Sequence, residues 1–166
     1  MFGPPGHAYV YFTYGMHHCV NVVCEEQGTA AAVLIRAAEP IEGIELMVDR
    51  RGVEEPARLM CGPGCVARAL GLELVHDGLD LTRGPLWVSD AAPERAGLPI
   101  ARSPRIGIRL GTEWPWRLYL AGHPCVSGTP RGMPGATPRS PRSGRGAPGK
   151  SRSRRSSPLT LHGLRS

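Results

Sequence analysis

Two β-favouring runs, "AYVYFT" and "HCVNVV", lie either side of a short break containing Gly15, and this leaves the start of the chain little choice of fold. β-branched and aromatic residues suit a pleated, half-buried surface. A short glycine-containing loop between two such runs closes a β-hairpin. We therefore expect a hairpin with Tyr14–His17 at or near its tip. Strand alternation puts Tyr9, Tyr11 and Thr13 on one face and Val10 and Phe12 on the other. By the same rule His17 and Cys19 can share a face, and His18 cannot join them.

This hairpin carries more polar and aromatic chemistry than a core strand requires. A tyrosine in a strand is most often packed core. Tyr14 is harder to explain that way, because an aromatic at a tip has little of its own domain to pack against. Exposed aromatics are what proteins insert between base steps, or into the gap left by a displaced base. Asn21 and Arg36 are polar residues inside the apolar runs "HCVNVV" and "TAAAVLIRA". Buried amides and guanidiniums need partners. An internal network would supply them, for example Arg36 with Glu39, and so would a pocket into which both residues point.

The remaining elements predict the fold class. Thr29–Ala37 fits a buried strand. "EPIEGIELMVDRRG" fits a helix with Pro40 in its first turn and Arg50, Arg51 and Gly52 at its end. "GPGCVARALGL" repeats that pattern, with Pro63 early and Gly71 as C-cap. Further strands are expected at Pro85–Ser89, Arg105–Leu110 and Trp116–Gly122. Without βαβ alternation, this order predicts an α+β fold. It would be a single mixed domain over residues 1–128, with a mainly antiparallel curved sheet, flanking helices and a protruding β-hairpin. Residues 129–166 are rich in Arg, Ser, Pro and Gly, and are expected to be a disordered tail.

Charge follows the same division. Nine of the 20 Lys and Arg lie from Thr129 onward, with none of the 14 Asp and Glu, leaving eleven basic against fourteen acidic residues before it. The high isoelectric point therefore belongs to the tail and says little about the body. No apolar run is long enough for a transmembrane helix, and the opening residues lack the features of a signal peptide. A cytoplasmic, reduced location is expected, with nucleoid association in a bacterium. The five cysteines fit neither a disulfide framework nor a redox pair. His17, Cys19, Cys61 and Cys65 match zinc-site spacing poorly, so small buried thiols are expected rather than a metal centre.

In order and spacing, "MFGPPGHAYVYFTYGMHHCVN", "VLIRAAEPIEG", "GPG", "RGPLWV", "PRIGI" and "WRLYLAGHPCVSG" resemble the 3-methyladenine DNA glycosylases of the alkyladenine (N-methylpurine) type. The resemblance covers roughly Met1–Gly128. It implies a DNA base-excision repair enzyme, monofunctional and without metal or organic cofactor, acting as a monomer. The partner implied is double-stranded DNA containing alkylated or deaminated purines, with no membrane involved. Tyr14 matches the wedge that fills the gap left by a flipped nucleotide, with Met16 and His17 beside it. The family often has an aromatic where His17 stands. Tyr11 matches the wall on which the flipped base stacks, and Asn21 the filter against guanine. Arg36 and the backbone carbonyl of Leu120 match the groups that hold the attacking water.

The family's general base is a glutamate upstream of the stacking tyrosine. Here ten residues precede Tyr11 and none is Asp or Glu. Glu25 and Glu26, in the turn-like "CEEQG", read as solvated acids rather than a replacement, because a base must reach its water. Cys65 stands where the family commonly has a lysine after "GPG". The resemblance therefore implies an N-terminally truncated, marginally stable member that reads bases and lacks turnover. The alternative expectation is a non-catalytic minor-groove DNA-binding protein, and a zinc-stabilised module is a third.

Overall fold

The computed structural model describes residues 1–90 and 97–127, together with the backbone of Leu159–His162. Strand β1 (Ala8–Thr13) pairs antiparallel with β2 (His17–Val23), from Ala8↔Val22 to Thr13↔His17. Strand β3 (Ala32–Leu34) adds to the other side of β2. Alternation sends Ala8, Val10 and Val20 from one face of this sheet into the core. There they meet Ile35, Met47, Leu59, Val66, Leu70, Leu81 and Leu86, all buried.

Of three short helices, α3 (Pro63–Leu70) packs on β2, and α1 (Ile44–Arg51) and α2 (Pro56–Leu59) pack on α3. The last carbonyls of a helix have no intrahelical partner, and here arginines of neighbouring helices take them. Arg50 Nη1 donates to Ala69 O of α3 at 2.9 Å, and Arg51 Nε to Leu59 O of α2 at 2.9 Å. Arg68 Nε donates to Arg50 O of α1 at 2.7 Å. Three ends are closed by three guanidiniums, which also ties the helices together. Cations at helix C-termini are favoured by the helix dipole as well.

The outer edge of β1 is closed by the segment after α3. Ala8 N donates to Leu79 O at 2.8 Å, and Gly78 N to Ala8 O at 2.9 Å. Val10 N donates to Asp77 Oδ1 at 2.8 Å, so a carboxylate stands in for a strand carbonyl. His7 makes an antiparallel bridge to Asp80.

The class is α+β, as expected, with the strands divided among three small sheets. β4 (Leu86–Ser89) falls inside the expected Pro85–Ser89, and β6 (Arg117–Leu120) inside Trp116–Gly122. Arg105–Leu110 is not a strand, because Gly107 is left-handed (φ 77) and breaks the extended run. Its place is taken by β5 (Ile100–Ser103), antiparallel to β6 with Ile100 opposite Leu120. Helix α1 starts at Ile44 rather than near Pro40, because Gly43 before it is left-handed (φ 67). The strand expected over Thr29–Ala37 contracts to Ala32–Leu34. Within the expected tail, β7 (Leu159–His162) runs parallel to β4, Leu86 opposite Leu159. The rest of that tail lies outside the described residues. Among the described residues no helix is long and apolar enough to cross a membrane.

Two glycines test the helix joints. Gly52 and Gly71 both follow a helix in the left-handed region, at φ 65 and φ 71. A Cβ on Gly52 would meet nothing within 4 Å, whereas one on Gly71 would lie 2.9 Å from Arg50 Cζ. Gly52→Ala should cost about 1 kcal/mol from backbone strain alone. Gly71→Ala should cost about 1 kcal/mol more, because Arg50 must leave its carbonyl. Urea unfolding of the two variants measures the difference, and equal losses would show that Arg50 contributes nothing there.

Candidate functional site

The hairpin tip is a tight turn, with Met16 N donating to Thr13 O at 3.3 Å. Its central residues, Tyr14 and Gly15, both have positive φ, 52 and 67. Such a turn matches the twist of the strands it joins, and its usual sequence is Asn-Gly or Asp-Gly. Tyr14 is the one non-glycine residue with positive φ among the described residues. That conformation costs an L-residue with a Cβ roughly 1–2 kcal/mol. Burial does not repay it, since Tyr14 is 83% exposed, with Met16 beside it 71% exposed. A tyrosine here is thus unfavourable for the backbone and unused by the core.

His17 opens β2 at the base of the tip, where it rests against the first turn of α3. A Cβ added to Gly64 would stand 3.1 Å from His17 Cγ, so a larger residue would push the His17 side chain back by a few tenths of an ångström.

Behind the tip, the hairpin face opposite the core presents a compact cluster. Tyr11 pairs with Cys19 and Tyr9 with Asn21. Cross-strand partners share a face, and the Tyr9 and Tyr11 rings stack with centroids 5.4 Å apart. Asn21, only 7% exposed, donates from Nδ2 to Tyr9 O at 3.0 Å. Burial, then the neighbouring Cys19, pushes the Tyr11 hydroxyl above its ordinary pKa. Burial likewise raises the Cys19 thiol, against the opposing pull of the Tyr11 hydrogen bond and of Arg36.

Arg36 follows β3 and is half-buried. Its Nε is buried and has no hydrogen-bond partner among the described residues. Burial, then the like charge of Arg117, draws its pKa below the ordinary guanidinium value, and Cys19 opposes this. Arg117 in β6 is itself 7% exposed. It donates to Ser127 O at 2.7 Å and to Ser103 Oγ at 3.4 Å, and it lies over the Tyr119 ring at 4.6 Å. Leu120 ends the same strand, and its carbonyl accepts from His123 N at 3.3 Å, leaving one lone pair. Glu39 Oε2, near which Arg36 was expected to find a partner, stands 3.6 Å from His123 Nε2.

The structure therefore brings Tyr11, Asn21 and Arg36 around Cys19, and sets Tyr14 and Met16 at the tip, with His17 at its base. Leu120 sits three residues along β6 from Arg117. Sequence reading did not single out Cys19 or Arg117 for this site. Their signals were present: Cys19 alternates with Asn21 on one strand face, and Arg117, like Arg36, is an arginine inside an apolar run. Among the described residues no three His, Cys, Asp or Glu side chains converge as metal ligands.

Comparison with known proteins places the chain in a family. The model of the methylpurine-DNA glycosylase family matches residues 1–124. A protein of Chlorobaculum parvum named "Putative 3-methyladenine DNA glycosylase" is 51% identical over 134 residues, covering 81% of this chain and 64% of the relative. One of the same name from Rhodopseudomonas palustris is 51% identical over 128 residues, covering 76% and 62%. A third, from Methanoculleus marisnigri, is 46% identical over 129 residues, covering 76% and 67%. The chain thus spans a little under two thirds of the length of the first two. It belongs to the methylpurine-DNA glycosylase family.

The tip generates a prediction about stability. Tyr14→Asn restores the Asn-Gly pair that the turn prefers and removes a side chain with no packing role. It should stabilise the fold by about 0.5–1 kcal/mol, read as a higher midpoint in thermal or urea unfolding. A lower midpoint would mean that the Tyr14 ring is held by the fold.

Proposed function

We propose that this chain reads damaged DNA as part of an alkylpurine glycosylase. In this reading the hairpin enters the minor groove and Tyr14 fills the gap left by a nucleotide rotated out of the duplex. The extruded base stacks on Tyr11, which Tyr9 backs, and Asn21 disfavours guanine at the pocket floor. Met16 and His17 flank the wedge against the neighbouring base steps. Arg36 and the Leu120 carbonyl hold the water that hydrolyses the N-glycosidic bond. The observation that carries the reading is Tyr14, an exposed aromatic kept in a costly conformation at a hairpin tip.

The chemistry of the substrate fits these parts. An alkylated purine such as 3-methyladenine carries positive charge, which favours stacking between electron-rich rings. That charge also makes the base a good leaving group, so an activated water suffices and no nucleophilic side chain is needed. The orphan Nε of Arg36 asks for an acceptor, and a water held there would supply one.

The same cluster limits what these residues do alone. Bond cleavage develops positive charge on the sugar, and two neighbouring guanidiniums do not stabilise it. A carboxylate is needed to balance that charge and to take the water's proton. No Asp or Glu is buried among the described residues, and Glu25 and Glu26 are exposed in the turn after β2. Residues 1–166 on their own are therefore expected to bind and extrude the base with little or no release. That expectation also favours the second reading, a non-catalytic minor-groove binder whose basic residues from Thr129 onward add salt-dependent affinity.

Two measurements test this. Single-turnover assays on duplexes containing hypoxanthine or 3-methyladenine should show no base release by the chain. Release should follow when the upstream acidic segment of a relative is appended; release without it would overturn the division of labour. In titrations, Tyr14→Ala should weaken binding to an abasic-site duplex about ten-fold, the worth of one stacking contact. Its effect on undamaged DNA should be much smaller, and equal losses on both would remove Tyr14 as the wedge.

A further inference from the structure

Two tryptophans just before β6 stand where the core makes no use of them. A tryptophan is a large apolar side chain that folds usually bury, yet Trp114 is 51% and Trp116 61% exposed. Their rings stack with centroids 5.4 Å apart and planes 16° from parallel. Pro115 between them has its φ fixed by its ring, and Trp116 N donates to Trp114 O at 2.9 Å, closing a three-residue turn. The backbone thus sets the stack in place, so a ligand has little left to order. Arg105 adds a cation, its Cζ 5.4 Å from the Trp116 ring centroid. Gly111 lies against both groups: a Cβ there would stand 2.8 Å from Arg105 Nη2 and 3.9 Å from Trp114 Cδ1.

The surface continues onto β5 and β6. Ile100 pairs with Leu120 and Arg102 with Leu118, and cross-strand partners share a face. Ile100, Arg102 and Leu118 are all exposed. Between residues 98 and 120, Arg102, Arg105 and Arg109 are exposed against one acid, Glu113, in a body that otherwise carries more acids than bases. Ring faces beside guanidiniums are how proteins hold single strands: bases stack, and phosphates meet the cations. An uncharged apolar partner would bury these guanidiniums without anions to pair them, whereas a nucleic-acid strand brings a phosphate with each base. We propose that Trp114, Trp116 and Arg105 form a second DNA contact, a platform that stacks an unpaired base of single-stranded DNA and holds its phosphate. This rests on the reading of the chain as a DNA binder. Trp116 directly precedes β6 and Leu120 ends it, so the platform and the carbonyl assigned to the attacking water share one strand.

The test separates the platform from the hairpin. The full chain is titrated with a labelled short oligothymidylate and with an abasic strand of the same length, read by anisotropy. Basic residues from Thr129 onward attract both strands alike through their phosphates, so the difference in affinity reports stacking. The oligothymidylate should bind about ten-fold tighter than the abasic strand, as one stacked base provides. Trp114→Ala and Trp116→Ala should each erase most of that margin, and Trp116→Phe should keep it. Arg105→Gln should weaken both strands about equally, and Tyr14→Ala should leave the margin intact. Equal affinities for the two strands, or a margin that survives both tryptophan-to-alanine variants, would overturn the platform whatever Tyr14→Ala does on abasic-site duplex. Tighter binding of an oligouridylate than of the oligothymidylate would overturn DNA as its occupant.

Discussion

The pairing of β1 with β2 admits one register, because the two faces of the hairpin are chemically incompatible. One face carries Ala8, Val10 and Val20 into a core shared with Val66 and Leu70 of α3. The other carries Tyr9, Tyr11, Cys19 and Asn21. A slip by one residue would exchange the two sets, burying a phenol and an amide among aliphatics and exposing the valines. The apolar demand of the core thus fixes where the polar groups stand. The same register sets Tyr14 and Gly15 at the turn, so the tip follows from the core.

Around this hairpin, positive charge is arranged in two ways. Arg50, Arg51 and Arg68 donate to helix carbonyls and so tie α1, α2 and α3 together. Arg117 is held by Ser127 and by the Tyr119 ring. Arg36 differs, with a buried Nε that the described residues leave without an acceptor and a second guanidinium as neighbour. A structural arginine is normally paired when buried. Arg36 instead keeps one buried donor without an acceptor among the described residues.

Much of this was legible in the sequence, and the failures share a cause. The hairpin faces, the tip, and the Pro63-to-Gly71 helix were read from alternation, turn chemistry and capping, all of which are local. The strand expected at Arg105–Leu110 failed because its apolar alternation was real but Gly107 takes a left-handed turn, and Ile100–Ser103 supplies the pairing edge. Pro40 suggested a helix start four residues early, since Gly43 sets the entry and only the fold decides which signal prevails. At the site, residue identities were readable while their convergence was not. Arg36 and Arg117 stand far apart in sequence, and only the folded chain brings their charges near enough to interact.

The closed outer edge of β1 matters for how the protein behaves in a crowded solution. An open strand edge is a template for another chain, and proteins blunt such edges with charge or cover. Here Leu79 and the Asp77 carboxylate occupy the edge positions of Ala8 and Val10, so an incoming strand would have to displace a bonded anion. The opposite edge belongs to β3, three residues long with Val33 half-exposed. Strand addition there could form only a few bonds. The sheet that presents the aromatic tip is therefore poorly suited to growing into a filament, even with several large apolar side chains on its surface.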